Sequence, residues 1–128
     1  MNLLRQCTFV DRYRNSLVEL DDIIEENWNK YKTNDDEYVF YVLLYFTANW
    51  LPEASNKNLN KKLAEFYSSS NRKHNNFELI FISSDKTKDS YHEFLNSNKY
   101  IRYSLAYQEQ ELKVYIFSLY FFCYLIDK

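Results

Sequence analysis

The sequence predicts an α/β sandwich, a sheet with parallel strands and helices packed on both faces. Three observations carry that reading. Two nearly continuous runs of β-branched and aromatic residues, Tyr38 to Thr47 and Phe77 to Ile82, have the character of strands buried on both sides. Around them, apolar residues recur at three- and four-residue steps, the period of amphipathic helices. Strands alternating with helices in this order imply parallel pairing.

Taken in order, Leu4 to Val10 is expected as a first strand, with Arg12 and Arg14 in the turn that follows. Ser16-Leu-Val-Glu19 has the form of a capping box, in which hydroxyl and carboxylate satisfy each other's orphan amides. Leu17, Leu20, Ile24, Trp28 and Tyr31 then give a helix one apolar face. Asp21, Asp22, Glu25 and Glu26 suit the positive end of that helix dipole, and read as a solvated face rather than as catalytic acids. Lys32 to Glu37 is a polar loop, and Tyr38 to Thr47 is the expected central strand.

Pro52 fits the first turn of a second helix, where a missing amide is tolerated. Leu59, Leu63, Phe66 and Tyr67 supply its buried stripe, and Ser68 to Asn76 reads as the loop after it. The strand Phe77 to Ile82 ends at Ser83-Ser84-Asp85. Asp85 or Thr87 can cap a third helix that buries Tyr91, Phe94 and Leu95. Val114 to Ile126 carries no charge but is about 7 residues short of a bilayer span. It reads as a buried strand rather than a membrane anchor.

A length of 128 residues points to one domain, 1–128. The 13 Tyr and 10 Phe allow a modest core to be held tightly, because each aromatic ring buries a large area. A net charge of −2 gives no electrostatic reason to expect nucleic acid. Lys57, Lys61, Lys62, Arg72 and Lys73 read as a solvated helix face. The chain has no glycine, which excludes glycine-rich phosphate loops and dinucleotide fingerprints and leaves turns to Asn, Asp, Ser and Lys.

Cys7 and Cys123 lie near opposite ends, without dithiol spacing, and form no zinc pattern with His74 and His92. No cofactor or metal is therefore expected. Met1-Asn-Leu-Leu-Arg5 lacks the apolar core of a signal peptide, so a reducing cytosolic or nuclear setting is expected. Ser83, Ser84, Asp85 and His92 could be drawn as a hydrolase constellation, but no glycine-flanked elbow is present and a strand-end turn is the better reading.

The run Val42-Leu-Leu-Tyr-Phe-Thr-Ala-Asn-Trp-Leu-Pro52, then Leu63-Ala-Glu-Phe-Tyr67, then Phe77-Glu-Leu-Ile-Phe-Ile-Ser-Ser-Asp85, resembles the nucleoredoxin and tryparedoxin branch of the thioredoxin superfamily. The resemblance covers about residues 39–96, with Tyr91-His-Glu-Phe94 and Leu105-Ala106 fitting more loosely. It implies a thioredoxin-like fold, a central mixed sheet flanked by helices. It also implies a redox motif, Trp-Cys-Pro-Pro-Cys, at Trp50, Leu51, Pro52, Glu53 and Ala54.

Both cysteines of that motif are replaced, by Leu51 and Ala54. Thiol-disulfide exchange needs a thiolate attacker and a second thiol to resolve the mixed disulfide, and neither side chain supplies one. The family's cis-proline turn aligns near Phe121, whereas Pro52 is the only proline of the chain. Lys128 falls where the family continues into a further strand and a closing helix, so a sheet lacking both is expected. Cys123 reads as a small buried hydrophobe.

The leading expectation is a nucleoredoxin-like protein without redox chemistry, acting by binding. The alternative is a protein-disulfide reductase that uses Cys7 or Cys123 in a non-standard way. An exposed aromatic sheet edge at the last strand would favour self-association or a protein partner. Neither nucleic acid nor membrane is expected as a partner.

Overall fold

Phe77–Ser83 is the strand around which the molecule is organised. The structure, a computed structural model, describes residues 2–31, 40–49, 57–73, 77–109 and 112. Along the chain these form α1 (Asn2–Arg5), β1 (Phe9–Asp11), β2 (Ser16–Val18), α2 (Leu20–Tyr31) and β3 (Tyr41–Thr47). There follow α3 (Lys57–Lys73), β4 (Phe77–Ser83), α4 (Lys88–Ser97), β5 (Tyr103–Leu105) and a 3-10 turn at Tyr107–Glu109. Among the described residues the sheet order is β2-β1-β5-β4-β3. β4 pairs in parallel with β3 and β5, while β1 runs antiparallel to β5 and β2. The sheet is therefore mixed, with its parallel part in the order that helical crossovers require.

Alternation along β4 divides the core in two. Leu79 and Phe81 face Tyr91, Phe94 and Leu95 of α4, with Ile101 beside them and Tyr67 of α3 packed against the cluster. Ile80 and Ile82 face the other way, toward Leu4, Cys7, Leu20 and Ile23, with Phe9, Tyr103 and Leu105 contributed by neighbouring strands. The Phe81 ring stacks on Phe94 at 4.6 Å and on Tyr91 at 6.0 Å. Burying each such ring contributes about 1.5–3 kcal/mol. Among the described residues no helix is long and apolar enough to cross a membrane.

Several expectations need correction. The continuous run ending at Thr47 does not form the most deeply buried strand. Tyr41 of β3 is 58% exposed and Leu43 is partly open too, whereas every β4 residue after Phe77 is buried. Both strands are apolar, and what separates them is position: β4 has a strand on each side, whereas β3 is outermost among the described strands.

Leu4 to Val10 is not one strand. Residues 2–5 are helical, which puts Leu4 and Cys7, three residues apart, together in the core. Alternation begins only at β1. Ser16 opens β2 instead of a helix, and Leu17 is 61% exposed. The capping interaction lies three residues later: the Glu19 backbone N–H donates to Asp22 Oδ2 at 2.9 Å, the carboxylate half of a capping box. Leu20 and Ile23 are the deeply buried residues of the α2 face, with Ile24 partly buried against the same cluster.

Phe66 is 57% exposed, whereas Leu63, Ala64 and Tyr67 are half-buried, and the Leu59 side chain lies outside the described residues. Ser68 to Lys73 continues α3 rather than forming a loop. Ser and Asn lie only a few tenths of a kcal/mol per residue below good helix formers, so a helix already begun can run through them. Of the two candidate caps, Thr87 serves α4: its side chain accepts the Ser90 N–H. The strand expected at Val114 to Ile126, the loop at Lys32 to Glu37 and the Pro52 turn lie outside the described residues.

The hairpin between β1 and β2 is made without glycine. Asn15 takes the left-handed conformation, φ 52°, which short polar side chains tolerate better than most residues. Asp11 accepts the backbone N–H groups of Tyr13 and Arg14 and fixes the turn. Arg12 reaches across to the end of α4, donating to the carbonyls of Leu95 (2.9 Å), Asn98 (3.4 Å) and Ile101.

Candidate functional site

In open α/β sheets the carboxyl ends of the parallel strands are where ligands and chemistry collect. Here that edge is formed by Thr47, Ala48 and Asn49 leaving β3, and by Ser83, Ser84 and Asp85 leaving β4. Thr47 and Ala48 are buried. The Ser84 N–H donates to the Thr47 carbonyl at 2.9 Å and carries the ladder just beyond β3 and β4. Asp85 is fully buried and holds the edge together. Its Oδ1 accepts the Asn49 N–H at 2.8 Å, and its Oδ2 accepts the Ser83 hydroxyl at 2.8 Å. The Asp85 N–H in turn donates to Ser83 Oγ at 2.9 Å.

A buried carboxylate is costly unless donors surround it, and bonds to a charged acceptor are stronger than neutral ones. Asp85 thus pins the backbone at Asn49, one residue before Trp50. Trp50, Leu51, Pro52, Glu53 and Ala54, the positions expected to carry the vestigial motif, lie outside the described residues. What the structure places is the anchor from which they extend. In the sequence Asp85 reads as a strand-end turn residue and a possible helix cap, and can be drawn on paper into a hydrolase constellation. The signal for its real role was the Ser83-x-Asp85 spacing at a strand end, where the hydroxyl and carboxylate can close a local ring of hydrogen bonds.

The same bonds dispose of the hydrolase arrangement. Ser83 Oγ gives its proton to Asp85 and receives the Asp85 amide, so the hydroxyl is engaged on both sides. His92 sits exposed on α4, edge-on to the Tyr91 ring at 5.0 Å. Among the described residues no three His, Cys, Asp or Glu side chains are grouped to hold a metal ion.

Cys7 is 1% exposed, and its thiol donates to the Leu3 carbonyl at 3.3 Å. Burial, reinforced by the charge of Glu109, pushes the thiol up to about 11. That is the opposite of an activated nucleophile, which needs a depressed pKa. Phe9 pairs with Leu105, and the Ala106 N–H donates to the Thr8 carbonyl at 3.0 Å. Cys7 therefore lies at the same end of the sheet as Thr47, but three strands across, about 14 Å at ordinary strand spacing. Disulfide formation requires Cα atoms within about 7 Å. Cys123 lies outside the described residues.

Two further acidic side chains are buried away from this edge. Asp11 receives a two-pronged contact from Arg102, with both bonds 2.9 Å. Burial alone would raise the Asp11 carboxyl, but the Arg102 fork and the two turn amides hold it below the usual carboxylate range. The guanidinium also lies over the rings of Tyr13 and Tyr103, at 5.2 and 4.8 Å. Glu78 differs. Burial raises it, and the bonds it accepts from the Tyr67 hydroxyl at 2.8 Å and the Leu79 N–H at 3.1 Å only partly offset this. β5 begins opposite Ile80, so Glu78 has no β5 partner in register. Both groups fasten elements together and lie outside the carboxyl edge.

Comparison with known proteins gives a consistent answer. The family described as thioredoxin-like matches residues 40–118. The chain is similar to a probable nucleoredoxin 1 of Arabidopsis thaliana, 40% identical over 53 residues. That stretch is 41% of this chain and only 9% of the plant protein. A thioredoxin from Wuchereria bancrofti superposes with a TM-score of 0.67 at 18% identity, covering 91% of this chain and 69% of the other. Tryparedoxin I from Leishmania major gives 0.63 at 18% identity, covering 93% and 68%. The order of strands and helices, the residues of the three motifs and these likenesses all fit the nucleoredoxin and tryparedoxin-like branch.

Proposed function

This chain belongs to the thioredoxin-like family, and from that premise we propose that it is a non-catalytic member that acts by binding another protein. One observation carries the proposal: Leu51 and Ala54 stand where the exchange chemistry requires two thiols. Leucine and alanine form no disulfide, and neither hydroxyl nearby, Thr47 or Ser55, replaces a sulfur. The buried Cys7, with its raised pKa, argues against the alternative reductase that borrows a thiol from elsewhere.

The scaffold that would present the former redox edge is intact in this reading. The Asp85 carboxylate fixes Asn49, and the parallel β3–β4 ladder supports both. Trp50, Leu51 and Pro52 are apolar and Glu53 is acidic, a composition suited to contact with a protein rather than to thiol chemistry.

Restoring the pair, Leu51→Cys with Ala54→Cys, tests whether these positions are the ancestral centre. The double variant should reduce a disulfide substrate at a rate clearly above dithiothreitol alone, and should be trapped as a mixed disulfide when only Leu51→Cys is made. A double variant that folds yet neither reduces substrate nor forms its own disulfide would overturn the assignment.

A further inference from the structure

A cleft of about 390 Å³ lies between the β1–β2 hairpin and α4, within the size range of small-ligand sites. Lys88, Tyr91, His92 and Leu95 line one side of it, as spacings of three, four and seven residues on one helix face require. Val10 closes the opposite side, and Tyr107 of the 3-10 turn stands at one end.

The aromatic wall is held in advance of any ligand. The Tyr91 hydroxyl bonds to Ser104 Oγ and donates to the Leu105 carbonyl at 3.3 Å. Its ring meets His92 edge-on at 5.0 Å and tilts against Tyr107 at 5.4 Å. Arg12 ties the far end of α4 to β1 through the carbonyls described above, so the two walls are joined as well as adjacent.

Charge gives the cleft its direction. The chain has more acidic than basic residues, 18 against 16, yet no carboxylate lines this cleft. Asp89 and Glu93 of α4 are not part of the lining. Lys88 is exposed and has no ion-pair partner among the described residues. A cation beside the half-buried Tyr107 ring and the exposed His92, in a cleft that Asn15, Asn96 and Gln108 also line, complements a ligand that is anionic at one end and planar at the other.

We propose that the cleft between β1 and α4 binds a small organic anion with an aromatic or similarly flat body, its anionic group at Lys88 and its flat part against the half-buried Tyr107 and the exposed His92. The site is separate from the strand edge that leads to Trp50, and it does not depend on whether the protein has redox activity.

Amide NMR titration of the whole chain with benzoate, against the neutral benzamide, tests this. For so small a probe, saturation is expected in the millimolar range, by about 20 mM. Shifts should cluster at Val10, Lys88, His92 and Tyr107. Lys88→Glu, an exposed change that leaves the core untouched, should weaken benzoate by about fivefold or more, as should replacing benzoate by benzamide. Absence of saturable shifts, equal binding of benzamide, or unchanged binding to the Lys88→Glu variant would each overturn the proposal.

Discussion

Asp11, Glu78 and Asp85 are all nearly inaccessible to water, and the groups around each carboxylate determine what it does. Asp11 meets a full positive charge, so its folded-state pKa is depressed. Its stabilising contribution is complete above the unfolded pKa of about 3.9 and disappears as pH falls through the folded value. Glu78 meets only neutral donors at close range, and burial dominates, so its folded-state pKa is raised. Its contribution has the opposite sign: it is complete below the unfolded pKa of about 4.3 and declines as pH rises through the folded value. Urea unfolding across the pH range should therefore show stability falling at both ends. Glu78→Gln should remove the decline that sets in as pH rises above about 4.3 while keeping the Tyr67 bond. Glu78→Leu should cost about 1–3 kcal/mol by leaving the Tyr67 hydroxyl unpaired. An unchanged pH profile in Glu78→Gln would show that the carboxyl is not strained by burial.

At the level of elements, joints between neighbours matter as much as propensity. Thr87 opens α4 with a side-chain cap, and Arg12, just after β1, donates to carbonyls at its C-terminal end. Arg12→Ala should cost about 1.5–3 kcal/mol, the value of hydrogen bonds to a charged donor. Hydrogen exchange should quicken in the last turn of α4 before it does so in β4; uniform loss of protection would contradict a local clamp. These joints also explain which elements were legible beforehand. β3, β4 and the buried residues of α4 could be read from long apolar runs and helical spacing. β2 and β5 could not, because three residues are too few for a period to show. The helical turn at Asn2–Arg5 was hidden because Leu3 and Leu4 suit a strand equally well, and only the packing of Leu4 with Cys7 decides between them. Arg12 looked like a turn residue, since nothing local reveals a partner 83 residues away.

For the whole molecule, the parallel β3–β4 pair and the helices on both sheet faces followed from the sequence because apolar strand-like runs alternate with helical periods, an order that implies parallel pairing. The mixed character of the sheet came only with the family resemblance, since an antiparallel β1 leaves no mark in its own residues. The candidate edge was half legible: the apolar runs marked the strand ends at Thr47 and Ser83, while the Asp85 anchor beside them emerged from the hydrogen bonds. The protein is a thioredoxin-like scaffold with its supporting edge in place, proposed to lack redox chemistry because Leu51 and Ala54 stand where the resemblance puts the two thiols. This central claim is most directly tested by the rate at which the unaltered chain reduces a protein disulfide in the presence of dithiothreitol. The predicted rate equals that of dithiothreitol alone. A rate clearly above it would contradict the account, with Cys7→Ser and Cys123→Ser identifying whether either thiol is responsible.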